Sequence, residues 1–389
     1  MQGNKINVPS AKQNEMMLAA VALHQSGNLD AAEYKYRKLL KILPSNTAIL
    51  NNLGTLSIQK GDLETAVKFF ERSLLIDSNQ VLALFNCGLA LKDLYRFNEA
   101  LASFDKVIAL KPDTIDAYFN AGLILQACNR FDEALAYYDS IIGLKPDYAD
   151  AYINRGNTLY ALKRLESALE SFDIAISLKP DYVQLYSNRG VILHDLKRLD
   201  EALASYDHVI ALKPDYADAY TNRGNTLYAL RRLDEALASY DVAIALNQES
   251  AVNYTNRGNV LQELKRIEEA LLSYEHAISI DPDHADAFLN IGNAFQELKL
   301  FEEAIACYDR AINLNPVFAS AYFNRGVALR DLKHLDEALL SFETALTLNP
   351  NMEFILGYVL HTKMHLCLWD DLSNQLLELT DSIKKAERY

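Results

Sequence analysis

The residues of this 389-residue chain best suited to chemistry are thirteen asparagines, and the chemistry is hydrogen bonding. Nine recur every 34 residues: Asn52, Asn86, Asn120, Asn154, Asn188, Asn222, Asn256, Asn290 and Asn324. Four more, Asn157, Asn225, Asn259 and Asn293, each stand three residues after a member of that series. A primary amide offers two N–H donors and a carbonyl acceptor. A row of amides at fixed spacing can therefore hold the backbone of an extended polypeptide whatever its side chains are. Asparagine is a mediocre helix former, so propensity does not explain the row. The competing reading is that each amide ties its own helix to a neighbour, and both readings can hold with different amide atoms.

Covalent and metal chemistry find little support. There is no Gly-rich phosphate loop and no nucleophile with a matching base. Cys87, Cys128, Cys307 and Cys367 share no close spacing, so they suggest neither a disulfide framework nor a thiolate site; they read as reduced core thiols of a cytosolic protein. His361 and His365 lie four apart and could share a metal, but Thr362, Lys363 and Met364 between them lack the glutamate of the zinc-protease signature. We assign no metal and no cofactor. His194, His208, His276, His284 and His334 read as surface positions.

Composition narrows the partners. With 52 Asp and Glu against 38 Lys and Arg the formal charge is −14, which repels phosphate backbones and argues against nucleic acid. No apolar run nears the roughly 18 residues that span a bilayer. The opening MQGNKINVPSAK lacks the apolar stretch of a secretory signal. The expectation is a cytoplasmic protein without a membrane partner.

The elements that position the asparagines are repeats. Pro44, Pro112, Pro146, Pro180, Pro214, Pro282, Pro316 and Pro350 fall on one 34-residue grid, whose two other points hold Ser78 and Gln248. With proline at repeat position 32, ten repeats begin at 13, 47, 81, 115, 149, 183, 217, 251, 285 and 319, and the tenth ends at 352. Position 8 is glycine in nine repeats and Ala20 in the first; position 20 is always alanine; position 24 is always Tyr or Phe. Small residues at 8 and 20 let two helices approach closely. Helix A is expected over positions 1 to 14 and helix B over 18 to 31, with proline stopping helix B. Acidic residues at 18 and 19 suit the positive start of helix B. Asp113, Asp147, Asp181, Asp215 and Asp283, just after the prolines, are placed to cap the next helix A.

At 100° per residue, positions 4, 7, 8 and 11 of helix A cluster on one side, and 2, 6, 9 and 13 on the other. The asparagines occupy 6 and 9 of that second arc; the first repeat has Leu18 at position 6. The arc also carries Asp116, Asp150, Asp218 and Asp286 at position 2, and Asp93, Asp195, Glu263, Glu297 and Asp331 at 13. An acidic groove favours a basic or neutral peptide; a solvated charged face is the alternative. Arg155, Arg189, Arg223, Arg257 and Arg325 at position 7, with acid at 25 in nine repeats, predict ion pairs between repeats.

Glycine at 8, alanine at 20, an aromatic at 24 and proline at 32, ten times over, resemble the tetratricopeptide repeat family. That resemblance implies an all-α solenoid, a right-handed superhelix of helix-turn-helix units with helix A lining a concave groove, and a protein-binding scaffold. Position-6 asparagine is similar to the ladder in the repeat arm of protein O-linked N-acetylglucosamine transferases, where it holds the substrate backbone. The nine position-6 asparagines, Asn52 to Asn324, match it. The other repeat class, which clamps C-terminal carboxylates, wants Lys or Arg at positions 2, 5 and 6, where this chain has none.

Residues 1–12 read as a tail, 13–352 as the ten repeats and 353–389 as a helical pair without repeat register. The pair breaks near Leu368, and Trp369, Leu372, Leu376, Leu379 and Ile383 form an apolar stripe on its second member. This segment resembles the connector of bacterial SPINDLY-like transferases, in which a two-lobed domain using UDP-N-acetylglucosamine follows. Thirty-seven residues cannot house two lobes of roughly 100 residues each, so the chain reads as the front of a longer enzyme, with no catalytic residue of its own. A free-standing assembly scaffold, dimerising through a convex face or its last helix, is the alternative.

Overall fold

The computed structural model describes residues 10–352 and 354–368, and among these all regular structure is helical: twenty-one helices and no strand. The first twenty form ten hairpins, an α-solenoid arrangement in which successive helices pack on one another from Ala11–Gln25 to Leu165–Leu178 and again from Leu199–Leu212 onward. The chain divides into two compact units, Met1–Leu185 and Tyr186–Tyr389, the division falling inside the helix Val183–Asp195.

Repeat 5 shows the plan. Helix A is Ala149–Ala161 and helix B is Leu165–Leu178, one residue shorter at the end of A and one residue earlier for B than expected. Helix A of the first repeat starts at Ala11, where Ser10 and Gln13 make a reciprocal capping box.

The hairpin closes on one contact. The position-24 ring is at most 2% exposed in every repeat, and the position-20 alanine is fully buried. Each position-8 glycine lies against that ring: a Cβ added to any of the nine would fall 2.4–2.9 Å from it, closest for Gly258 against Tyr274. The small residue therefore admits the ring of its own hairpin, and the helices close around it.

The turn between A and B holds a feature the repeat register did not announce. Position 15 has positive φ in all ten repeats, from 57° at Asn129 to 79° at Gly61, yet only Gly27 and Gly61 are glycine; six of the others are Lys or Arg. The position-16 N–H reaches back to the carbonyl of position 11, as Arg232 does to Leu227 at 2.9 Å. This is the Schellman stop of helix A. The same residue opens helix B, and in five repeats its guanidinium grips the glutamate three residues on, for example Arg266–Glu269 at 2.7 Å. The carboxyl pKa of each of those glutamates is held below the usual range by this hydrogen bond.

One expectation fails. Asp113, Asp147, Asp215 and Asp283 do not cap the next helix A; the capping site is the following residue, Thr114, Tyr148, Tyr216 or His284, with no side-chain cap. The aspartates sit one residue too early, inside the Pro-Asp turn, so that no carboxylate caps; Asp113 and Asp147 reach the first helical N–H, of Ile115 and Ala149, only through their backbone carbonyls, at 3.0 and 3.1 Å. Side-chain caps do occur at Asn46 and Ser250.

After repeat 10 the helix Ile355–His365 docks on helix B, Leu335–Leu348. Ile355, Val359 and Leu360 are buried, and the Tyr358 ring lies 5.0 Å from Phe323 and 5.3 Å from Phe342. The second helix expected beyond the break, with its stripe from Trp369 to Ile383, lies outside the described residues. All four cysteines are free; Cys87 is buried and its thiol pKa is pushed up to about 12, whereas Cys367 is exposed and so is no core thiol. The turn that ends the helix Ile355–His365 puts it there, at φ 58°. His194 and His284 are half-buried rather than surface positions, His284 meeting the Thr255 hydroxyl at 3.1 Å. The His361 and His365 rings lie 4.5 Å apart, and no group of three or more His, Cys, Asp or Glu that could hold a metal is found among the described residues.

Candidate peptide-binding face

All nine position-6 asparagines are half-buried, as are Asn225, Asn259 and Asn293; Asn157 is exposed. Where the first repeat lacks the asparagine, Leu18 stands 71% exposed. The position-6 slot is therefore at a surface, and in the other repeats a polar group fills it.

In the second unit the two asparagine series join. Asn256 Nδ2 donates to Asn225 Oδ1 at 3.1 Å, Asn290 to Asn259 at 2.9 Å, and Asn324 to Asn293 at 2.8 Å. Each accepting oxygen also takes the hydroxyl of the buried tyrosine at position 24 of its own repeat: Tyr240 at 2.7 Å, Tyr274 at 2.9 Å and Tyr308 at 2.9 Å. The core tyrosine thus fixes the position-9 amide, which in turn fixes the position-6 amide of the next repeat. Both of that carbonyl's lone pairs are used. Position 9 is structural here. Asn256, Asn290 and Asn324 each spend one N–H and keep a second N–H and the carbonyl oxygen without partners among the described residues.

The first unit differs. Asn120 and Asn154 each donate to the backbone carbonyl four residues earlier, at 2.8 Å, and Asn120 also accepts from Lys92 at 2.8 Å. Asn52 and Asn86 there, and Asn222 in the second unit, make no side-chain hydrogen bond among the described residues.

Much of the acidic arc is already paired. Glu263 takes the Tyr228 hydroxyl and the Arg231 guanidinium; Glu297 takes Lys265 at 3.2 Å; Asp150 takes Lys179 at 2.6 Å. Arg231 and Lys265 are position-15 residues reaching the position-13 acid of the next repeat, which gives a reason for a basic side chain where the backbone favours glycine. Burial, then the Glu263 bond, push the Tyr228 hydroxyl pKa up to about 12. The expected inter-repeat arginine pairs are present: Arg155–Asp139, Arg223–Asp207, Arg257–Asp241 and Arg325–Asp309, all at 2.6–2.7 Å, each arginine also donating to a serine of its own helix B.

Two clefts carry ladder residues. One in the second unit, about 340 Å³, is lined by Asn259, Asn290, Gln262, Glu263, Glu297, Tyr228 and Lys265. It gathers positions 6, 9 and 13 from successive repeats onto one surface. The other, about 800 Å³, lies in the first unit around Asn154.

Hairpins of this geometry, repeated with a small-residue and ring lock, define a helical-repeat protein whose exposed helix-A arc carries amides and charge. Models described as "TPR repeat" match 192–231 and 258–299, and models described as "Tetratricopeptide repeat" match 47–80, 88–149, 125–183, 217–250, 285–318 and 319–352. The chain belongs to the tetratricopeptide repeat family, and such repeats make it a protein-interaction scaffold. No curated protein matches it. Among solved structures it is similar to YrrB, a TPR protein with an unusual peptide-binding site (24% identity, 50% of this chain and 99% of that one, TM-score 0.40). It is also similar to two crystal structures of MamA: one at 25% identity, 43% and 97% coverage and TM-score 0.41, the other at 23%, 43% and 92%, and 0.39. No described helix is long and apolar enough to cross a membrane.

Proposed function

We propose that this chain holds extended polypeptide through its position-6 asparagines, Asn52 to Asn324, as the substrate-recruiting arm of a protein O-linked N-acetylglucosamine transferase-like enzyme. The observation that carries the reading is the amide arrangement of the second unit. One N–H of Asn256, Asn290 and Asn324 is anchored, while a carbonyl oxygen and a second N–H remain for a guest. A peptide bond presents the complementary acceptor and donor. Anchoring the amide beforehand lowers the ordering cost of binding, because the rotamer is already set. The role is independent of guest side chains, which suits an arm that takes many sequences. The sugar-transfer part rests on the asparagine pattern and on the connector-like sequence after residue 352.

The test is binding of labelled extended peptides by the 389-residue chain and by a variant with Asn154, Asn222, Asn256 and Asn290 changed to alanine. Loss of binding with helix content retained supports the reading; undiminished binding sinks it. Reading the gene beyond Tyr389 tests the transferase part, which fails if no nucleotide-sugar transferase domain is encoded there.

A further inference from the structure

Repeats 4 and 5 share the residues Asp, Lys and Tyr at positions 2, 31 and 34, but arrange them differently. In repeat 4, Lys145 lies over the Tyr148 ring, Nζ 5.4 Å from the centroid; in repeat 6, Lys213 covers Tyr216 at 5.3 Å. In repeat 5 the lysine is turned away: Lys179 Nζ binds Asp150 at 2.6 Å. Tyr182 is 49% exposed, while Tyr148, which also meets the Phe119 ring at 6.0 Å, and Tyr216 are half-buried. The uncovered ring borders the cleft of about 800 Å³ lined also by Phe119, Ile153, Leu178 and Asp181. Asn154 Oδ1, on the same wall, has no partner among the described residues.

We propose that this cleft is a subsite for an arginine side chain of the bound polypeptide, an inference that rests on the groove reading above. The ring face that takes a lysine in the neighbouring repeats is vacant of one here, and a cation on an aromatic face is attracted by the ring quadrupole. Asp181 and the Asn154 carbonyl oxygen supply acceptors for a guanidinium, whose planar fork stacks and hydrogen-bonds at once. Phe119, Ile153 and Leu178 offer apolar surface to the methylene stem. The charge of −14 disfavours an acidic guest side chain. Lys179 sets the strength of the subsite, because it neutralises the one further carboxylate at the cleft, Asp150.

The test uses the full chain and short labelled peptides of alanine, serine and threonine that differ only at a central residue: arginine, norleucine or glutamate. The arginine peptide is expected to bind at least about fivefold tighter than the norleucine peptide, a preference of the size a stacked cation provides. It should shrink with added salt. Tyr182→Ala is expected to bring the arginine-to-norleucine ratio to about one, and Lys179→Met to raise it, because Asp150 is then released to the guest. Using the ratio within one variant removes any effect of partial unfolding. Equal binding of arginine and norleucine peptides, or tighter binding of norleucine, overturns the subsite and leaves the groove standing. No binding by any peptide overturns the groove, and the subsite with it.

Discussion

Asn290 Nδ2 donates to Asn259 Oδ1 at 2.9 Å, across the junction between repeats 8 and 9. The ladder amide is thus part of the inter-repeat interface as well as a candidate contact for a guest. Asn290→Ala should cost about 1 kcal/mol of stability, the usual net worth of such a bond. Asn86→Ala, which breaks no side-chain bond among the described residues, should stay within about 0.5 kcal/mol of the parent. Urea unfolding of the two variants checks the difference, and equal losses would mean that the Asn259 bond contributes nothing.

A matched pair of tyrosines tests the same chain of bonds from its buried end. The Tyr274 hydroxyl donates to Asn259, so Tyr274→Phe should destabilise by about 1 kcal/mol. Tyr36 holds the same position in repeat 1, but Val21 replaces the position-9 asparagine, and its buried hydroxyl has no partner among the described residues. Burial raises its pKa. Tyr36→Phe removes a desolvated, unpaired group and should be neutral or stabilising. Opposite signs in thermal melts are the expected result.

Gly258→Ala should be destabilising although alanine is the better helix former. Its Cβ would fall 2.4 Å from Tyr274 Cε1, and that ring is fully buried and cannot swing away. Overpacking costs about 1–3 kcal/mol, against a propensity gain of about 1 kcal/mol. In a Tyr274→Leu background, where the ring is gone, Gly258→Ala should instead be neutral or stabilising; a propensity effect by itself would have the same sign in both backgrounds. Ala20 occupies this position in repeat 1 beside Tyr36, so an alanine is accommodated where the local packing has adjusted to it.

The repeat register and the hairpins were legible in the sequence because small residues at 8 and 20 and an aromatic at 24 recur at 34 residues; that the position-8 glycine faces the position-24 ring, rather than the alanine at 20, emerges only from the structure. The arginine pairs at position 7 were legible because both partners recur. The position-15 turn was not, because its signal is backbone conformation: Lys163, Lys265 and Lys333 carry positive φ without the glycine that normally advertises it. The split role of the asparagines was hidden as well. Positions 6 and 9 lie on the same helical arc, and only the tyrosine hydroxyl beneath Asn225, Asn259 and Asn293 separates the structural amides from those with atoms to spare. The aspartates after the prolines misled because their residue type suits a cap while their position is one residue early.

That turn gives a stabilising substitution. Lys333 has φ 69° and makes no ion pair among the described residues, so Lys333→Gly relieves left-handed strain and should gain up to about 1 kcal/mol. Lys265→Gly relieves the same strain but gives up the contact with Glu297, and should gain less. If Lys333→Gly lowers the melting temperature, the positive φ is not strained in this turn.

High pH should unfold the protein through its core. Burial raises the hydroxyl pKa of Tyr138, Tyr240, Tyr274 and Tyr308 above the ordinary value of 10.0, and pushes Cys87 up from 9.0 to about 12. Below the unfolded values both states keep these protons and the stability is fully present. As pH rises past 9 for the thiol and 10 for the phenols, the unfolded chain releases protons that the folded chain retains, so stability falls until the folded groups ionise. Phenolate absorbance from the buried tyrosines should therefore appear together with loss of helical circular dichroism. Tyrosines that titrate fully near pH 10 while the helix signal persists would show that these hydroxyls are open to water. Because four of the ten position-24 rings lack a hydroxyl, as Phe104 and Phe172 do, the alkaline transition should begin in the tyrosine-centred hairpins, with Tyr240, Tyr274 and Tyr308 losing hydrogen-exchange protection before Phe172 and its neighbours.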